Sequence, residues 1–312
     1  MKILFTGASS FTGYWFVKEL VAAGHDVVVP FRRQLSDYGE SGRRARIDRV
    51  AKICRPVFGV SFGDERFLQL VKEGRWDLLC HHAAEVSDYR SPDFDVVRAV
   101  ENNCRGLAKV LDALLESGCR KIVLTGSVFE NDEGAGTEPL GAFSPYGLSK
   151  GLTWELFRFY SQSRAMDLGK FVIPNPFGPY EEPRFIHYLL KNWFGGKTPS
   201  VNTPRYVRDN IPVSLLALVY SNFAETLSTG QSRLGPSGYV ESQGAFARRV
   251  ARETGKRLGL PCEVALNEQT DFSEPLVRIN TDRVDISALD WSEERAWNEF
   301  AEYYDRLMRP AT

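Results

Sequence analysis

The 312-residue chain has almost no excess of charge of either sign. Lys plus Arg number 39 and Asp plus Glu 40, a net charge of −1, so no bulk attraction to DNA, RNA or an anionic membrane is expected. Long apolar runs are also missing: no stretch approaches the roughly 18 residues that span a bilayer. Met1 leads directly into a strand-like segment rather than a charged leader with a cleavage site. A cytoplasmic location is expected. The five cysteines, Cys54, Cys80, Cys104, Cys119 and Cys262, are scattered without CxxC spacing, and an odd count of that kind fits reduced thiols better than disulfides or a zinc site. His25, His81, His82 and His187 have no metal-ligand spacing, so no metal is expected. Internal repeats and low-complexity tracts are absent.

What is present is an alternation. Compact apolar runs at Lys2–Thr6, Asp26–Pro30, Pro56–Val60, Asp77–His82, Lys121–Thr125 and Lys170–Ile173 are separated by helical patterns near Gly13–Ala23, Asp64–Glu73, Phe94–Ser117 and Pro145–Met166. Apolar strands alternating with helices predict βαβ units and an α/β, Rossmann-like doubly wound parallel sheet. Past Pro174 the pattern changes to loops rich in Pro and Gly between helices near Arg184–Phe194, Val213–Thr226, Ser242–Gly255 and Trp291–Leu307. The expected organisation is a dinucleotide-binding domain over residues 1–174. Residues 175–312 would form mainly a smaller substrate-binding subdomain, with some segments returning to the first domain. The arginines Arg43, Arg44, Arg46 and Arg49 read equally well as a solvated face or as a ligand patch.

The first strand runs into Thr6-Gly7-Ala8-Ser9-Ser10-Phe11-Thr12-Gly13 and then a helix. Gly7 permits the tight turn, Gly13 lets the helix pack closely on the strand, and the first helical amides with the helix dipole form a site for a pyrophosphate. Ser10 stands where a glycine is usual, and its hydroxyl could donate to a phosphate oxygen. The second strand ends Val29-Pro30-Phe31-Arg32-Arg33. NAD selection uses an acidic residue there, whereas two guanidinium groups suit a 2′-phosphate. The expected cofactor is therefore NADP(H), with NAD(H) possible. Asp64 reads as an adenine contact or as a helix N-cap.

Tyr146 and Lys150 sit four residues apart at the expected start of a helix, on one face. A free phenol has a pKa of about 10, and a neighbouring ammonium brings it towards the working range for proton exchange. A hydroxyl from the end of the fifth strand should orient the substrate oxygen towards Tyr146. Ser127 is chosen, with Thr125 as the alternative.

Together these residues resemble the extended short-chain dehydrogenase/reductase family, the NAD(P)-dependent epimerases and dehydratases of nucleotide sugars, over nearly the whole chain. His82-Ala83-Ala84 is similar to the family's fourth-strand end beside the cofactor, and Asn103 to its helical asparagine. The resemblance places Pro174 at the cofactor and implies that Asn175 contacts the sugar nucleotide. In Tyr206-Val207-Arg208-Asp209 it implies that Arg208 grips the diphosphate. The 4,6-dehydratases carry an acid pair where this chain has Gly126 and Ser127, which disfavours dehydration. Members that epimerise beside a ketone need a cysteine near the place of Val128.

Two chemistries remain from that resemblance, reduction of a 4-keto group with Tyr146 as general acid, and 4-epimerisation with a retained cofactor. NADP preference leans towards net reduction. A non-catalytic dinucleotide-binding regulator is the reading from another class, and the intact Ser127, Tyr146 and Lys150 argue against it. The long helices Phe94–Ser117 and Pro145–Met166 imply a homodimer built on a four-helix bundle.

Overall fold

The computed structural model describes residues 1–137, 140–227 and 229–309. The chain forms two compact units. The first comprises Met1–Glu133, Leu140–Ile173 and Ala217–Gly235; the second comprises Gly134–Pro139, Pro174–Leu216 and Pro236–Thr312. The boundary expected at 174/175 is thus crossed in both directions, by 134–139 and by 217–235.

The first unit holds seven strands, β1 (Lys2–Thr6), β2 (Asp26–Phe31), β3 (Arg55–Phe58), β4 (Leu78–His81), β5 (Lys121–Ser127), β6 (Asp167–Ile173) and β7 (Gln231–Leu234). All pair in parallel, in the order β3-β2-β1-β4-β5-β6-β7. This is the Rossmann-like order, whose reversal between β1 and β4 opens a crevice at the strands' C-terminal ends. Strands covered on both faces read as continuous apolar runs, and Ile3, Leu4 and Phe5 are accordingly all fully buried. Strand β7 was not expected. Its Gln-Ser-Arg-Leu sequence carries no apolar run because it lies at the sheet edge, paired among the described residues with β6 alone.

The helices of this unit include α1 (Phe11–Ala22), α2 (Gly42–Val50), α3 (Glu65–Glu73), α4 (Val96–Asn103), α5 (Leu107–Glu116) and α6 (Pro145–Gln162), and most of helix Val213–Glu225 also packs on the sheet, through Tyr220 and Phe223. Side chains of Ser10, Ser41, Asp64, Asp95 and Ser144 accept the first-turn amides of α1, α2, α3, α4 and α6, the expected chemistry at helix starts. The single helix expected over Phe94–Ser117 is in fact two. Gly106 takes a left-handed φ of 58° between them, a conformation no right-handed helix can continue through. One side of the sheet buries Leu4, Val28, Leu79, Leu111, Ile122 and Phe157 in a common cluster, each worth about 1.5–3 kcal/mol. Elsewhere in the unit Phe16 stacks on Tyr220 at 4.0 Å, with Phe171 edge-on to Tyr220 at 5.0 Å.

In the second unit a five-stranded sheet joins Tyr239–Ser242, Val207–Pro212, Val277–Ile279 and Ala135–Gly136 in that order, with Asn175–Phe177 beside Val207–Pro212. Helices Phe185–Phe194, Gln243–Leu258 and Glu293–Met308 help enclose a core of Phe177, Trp193, Phe246, Trp297, Phe300 and Tyr304. Among the described residues no helix is long and apolar enough to cross a membrane.

Candidate active site

Strand β1 ends at Thr6 and α1 begins at Phe11, so the chain turns over the sheet edge within four residues. Gly7 makes the turn with φ of 88°, and a Cβ there would lie 2.6 Å from the Ala83 amide nitrogen, so nothing larger fits between the loop and the end of β4. Ser10 is the N-cap of α1. Its hydroxyl donates to the Gly7 carbonyl at 2.9 Å and accepts from the Gly13 amide at 3.1 Å. Both contacts hold Ser10 inside the loop, so the expected contact with a phosphate would need its hydroxyl to turn away from the Gly7 carbonyl. The amides of Phe11 and Thr12, at the first two helical positions, remain for an anion. Ser9 is braced from behind by buried Arg46, whose Nε donates to the Ser9 carbonyl at 2.9 Å. One member of the arginine cluster therefore supports the loop.

His82 links this loop to the catalytic strand. Its Nε2 lies 3.0 Å from Ser10 Oγ and 3.0 Å from Thr12 Oγ1, and its Nδ1 lies 3.0 Å from Thr125 Oγ1. Burial, with help from Lys150 and His81, lowers the imidazole pKa to about 3, so the ring is neutral at working pH. With the proton on Nε2, assigned from these contacts, Nδ1 accepts the Thr125 hydroxyl proton. His81 is held similarly between Thr6 Oγ1 at 3.0 Å and the Asn103 carbonyl at 3.1 Å. The Asn103 side chain in turn donates to Thr153 Oγ1 at 3.1 Å and accepts the Glu85 amide at 2.8 Å. Ala83, whose amide donates to Thr6 Oγ1 at 3.2 Å, and Ala84 carry the chain past β4 without a bulky side chain.

Thr125 and Ser127 end the fifth strand two residues apart, hence on one face of it. Thr125 is engaged by His82; Ser127 Oγ accepts the Phe129 amide at 3.2 Å and keeps its own proton to give. Lys150 is buried and donates from Nζ to the Thr125 carbonyl at 2.5 Å. Burial lowers its pKa, with the Glu130 carboxylate acting in the opposite direction. Tyr146, one helical turn before it, is half-buried, its ring edge-on to Tyr89 at 5.5 Å and Phe94 at 6.1 Å. Helix α6 reaches this position because residue 147 is glycine: any Cβ would strike the Phe129 carbonyl.

At the end of β2, Arg32 and Arg33 are both exposed, with Arg32 Nη1 3.6 Å from a Glu85 oxygen. Asp64 uses one oxygen for the Phe67 amide at 2.7 Å and the other for the Ser61 amide at 2.9 Å, the geometry of its capping alternative. In the second unit Pro174 is buried, and Asn175 is partly buried and in register with Asn210. The Arg208 guanidinium rests on the Tyr206 ring at 4.8 Å and donates to Glu274 at 2.8 Å and to the carbonyls of Val207 and Pro275. Among the described residues no three His, Cys, Asp or Glu side chains are grouped to hold a metal ion.

A parallel sheet in this order, with a glycine turn at its point of reversal, defines a dinucleotide-binding fold. Residues 3–212 match the NAD dependent epimerase/dehydratase family, and the chain belongs to it. A dTDP-glucose 4,6-dehydratase from an Actinoplanes species is 30% identical over 231 residues, 69% of this chain and 69% of its own length. A UDP-glucose 4-epimerase from Mycolicibacterium smegmatis is 28% identical over 193 residues, 59% of this chain, and the match spans 58% of that relative. The crystal structure of a UDP-glucose 4-epimerase from Thermotoga maritima with UDP-glucose has a TM-score of 0.75 at 18% identity, covering 99% of this chain and 100% of that one. At such identity the structural likeness speaks for the fold alone.

Proposed function

We propose that the protein is an NADP(H)-dependent oxidoreductase that reduces the 4-keto group of a nucleotide-linked sugar. The observation that carries this reading is the difference between two neighbouring hydroxyls: that of Thr125 is held by His82, while Ser127 retains a proton to give. Ser127 is thus assigned to the substrate oxygen. Tyr146 protonates that oxygen as negative charge develops on it, and Lys150, one helical turn away, favours the phenolate that results. When bound, the nicotinamide supplies the hydride. The glycine turn, the Phe11 and Thr12 amides and the arginines after β2 fit the cofactor's pyrophosphate and 2′-phosphate. Asn175 and Arg208 are assigned to the sugar nucleotide, Arg208 exchanging its single contact with the Glu274 carboxylate for phosphate oxygens, which a guanidinium can grip through two nitrogens.

A second reading, 4-epimerisation with retained cofactor, is favoured by the epimerase among the relatives. Incubation with NADPH and a 4-keto nucleotide sugar separates the two. Loss of NADPH with formation of the hydroxyl sugar is expected; interconversion of 4-epimers without net consumption would select the second reading.

We also propose that the protein works as a homodimer in the cytoplasm. Leu148, Leu152 and Phe159 lie on one stripe of α6, and Phe159 is 64% exposed, beside α4 with Val97 79% exposed. A second copy covering this stripe would bury it. Light scattering should give a dimer for the native protein and a monomer for Phe159→Glu; a native monomer at micromolar concentration would remove the idea.

A further inference from the structure

Against the strand end that carries Ser127 lies a group of buried charges outside the chemistry described above. Lys170, in the middle of β6, is 4% exposed, with Nζ 2.6 Å from a Glu130 oxygen and 2.6 Å from a Glu133 oxygen. Glu130 is fully buried, and Glu133, also buried, is shared with Arg233 at 2.7 Å. The Lys170 ammonium lies 4.9 Å from the ring centroid of Trp154, on α6. Taking such charges out of water costs several kcal/mol per ion, and the cost is offset only by good geometry and further hydrogen bonds.

The group touches the site at several points. Glu130 Oε1 accepts the Ser127 amide at 2.7 Å. Residue 126 is glycine where a Cβ would lie 2.9 Å from Lys170 Cε and 3.0 Å from Glu130 Oε1, so the cluster occupies the space that a side chain would need. On the helix side, Gly151, next to Lys150, abuts the same turn, its missing Cβ 2.6 Å from Asn131 Oδ1. Lys150 Nζ is held on the Thr125 carbonyl and Glu130 Oε1 on the Ser127 amide, two residues on along the same strand end, and the Cβ position of Gly151, next to Lys150, lies 4.0 Å from Glu130 Cβ, so the carboxylate and the ammonium are neighbours; after burial, Glu130 favours the Lys150 ammonium and Lys170 disfavours it.

Building on the roles assigned above to Ser127 and Lys150, we propose that Glu130, clamped by Lys170, is a positioning residue for the reaction: it fixes Ser127 through its main-chain amide and supplies a buried counter-charge to Lys150. Glu130→Gln keeps an acceptor for the Ser127 amide while removing the charge, so it isolates the electrostatic part. Lysines labelled at Cε report their own ionisation by NMR, Lys150→Met assigns the signal, and no turnover is needed. In Glu130→Gln the Lys150 titration should move to lower pH. In Glu130→Gln/Lys170→Met, which leaves neither partner unpaired, it should return towards the native position. A folded Glu130→Gln protein whose Lys150 titrates as in the native chain would overturn the proposal. If that variant does not fold, hydrogen exchange in the native protein decides: the Ser127 amide should be strongly protected, and free exchange there would overturn the positioning role. Where sugar turnover is found, Glu130→Gln should lower kcat with KM unchanged and bring its alkaline limb to lower pH. A shifted Lys150 with no turnover on any nucleotide sugar would instead leave this coupling standing and remove the proposed function.

Discussion

Replacing Arg32 and Arg33 together by alanine is expected to weaken NADP⁺ binding by about 10–100-fold and to leave NAD⁺ binding nearly unchanged. A hydrogen bond to a charged group contributes about 1.5–3 kcal/mol and every 1.4 kcal/mol is about tenfold, so two such bonds would give about 10²–10⁴-fold; an effect at or below the foot of that range is expected because both arginines are exposed. The selectivity follows from where β2 ends. Phe31 closes the strand and two guanidinium groups come next, where a carboxylate would serve the ribose hydroxyls of NAD. Arg32 already lies 3.6 Å from Glu85, so removing it also leaves a carboxylate that would repel a 2′-phosphate. Calorimetric titration of cofactor-stripped protein with both nucleotides measures the effect. An equal loss for NADP⁺ and NAD⁺ would show that the arginines support the loop without selecting the phosphate, and a native preference for NAD⁺ would favour the epimerase reading.

The Tyr146→Phe variant should lose turnover by about 10²–10⁴-fold, the range for a positioned general acid, while binding cofactor as the native protein does. The ring contacts with Tyr89 and Phe94 are edge contacts that phenylalanine keeps, and only the hydroxyl is removed. Steady-state rates on a 4-keto nucleotide sugar, beside cofactor titration of the same preparation, separate the outcomes. Persistence of turnover would take the proton transfer away from Tyr146. Loss of cofactor binding along with turnover would make the residue structural.

Local chemistry made much of this legible in the chain. A buried parallel strand has to be apolar on both faces, so six of the seven strands of the first unit stood out as apolar runs; β7 did not, because an edge strand has no such demand. The turn at Gly7 and the cap at Asp64 are consequences of neighbours in sequence and were read from them, whereas the caps at Ser10 and Ser144 were not. What stayed hidden depends on contacts between residues far apart. His82 stood out only through the family resemblance of its strand end; that it ties the loop to the fifth strand emerges when the fold places Ser10, Thr12 and Thr125 around it, 70 to 72 residues away on one side and 43 on the other. The same contact is the ground on which the proposal prefers Ser127 to Thr125, which strand spacing had left open. The break at Gly106 hid in a helical pattern that is continuous apart from one glycine. Lys170 did carry a signal, a lysine inside the otherwise apolar Leu168–Ile173 run, but only the pairing of β6 with β5 brings it to Glu130.

The central claim is that hydride passes between the nicotinamide and C4 of a nucleotide-linked sugar in the site formed by Ser127, Tyr146 and Lys150. The measurement that tests it most directly uses NADPH deuterated at the transferable position of the nicotinamide, a 4-keto nucleotide sugar, and mass and NMR analysis of the product. The account predicts deuterium at C4 of the sugar with the native protein and almost none with Tyr146→Phe. Tight cofactor binding with no label reaching C4 of any 4-keto nucleotide sugar would contradict it, and would point to a protein that binds the dinucleotide without using it.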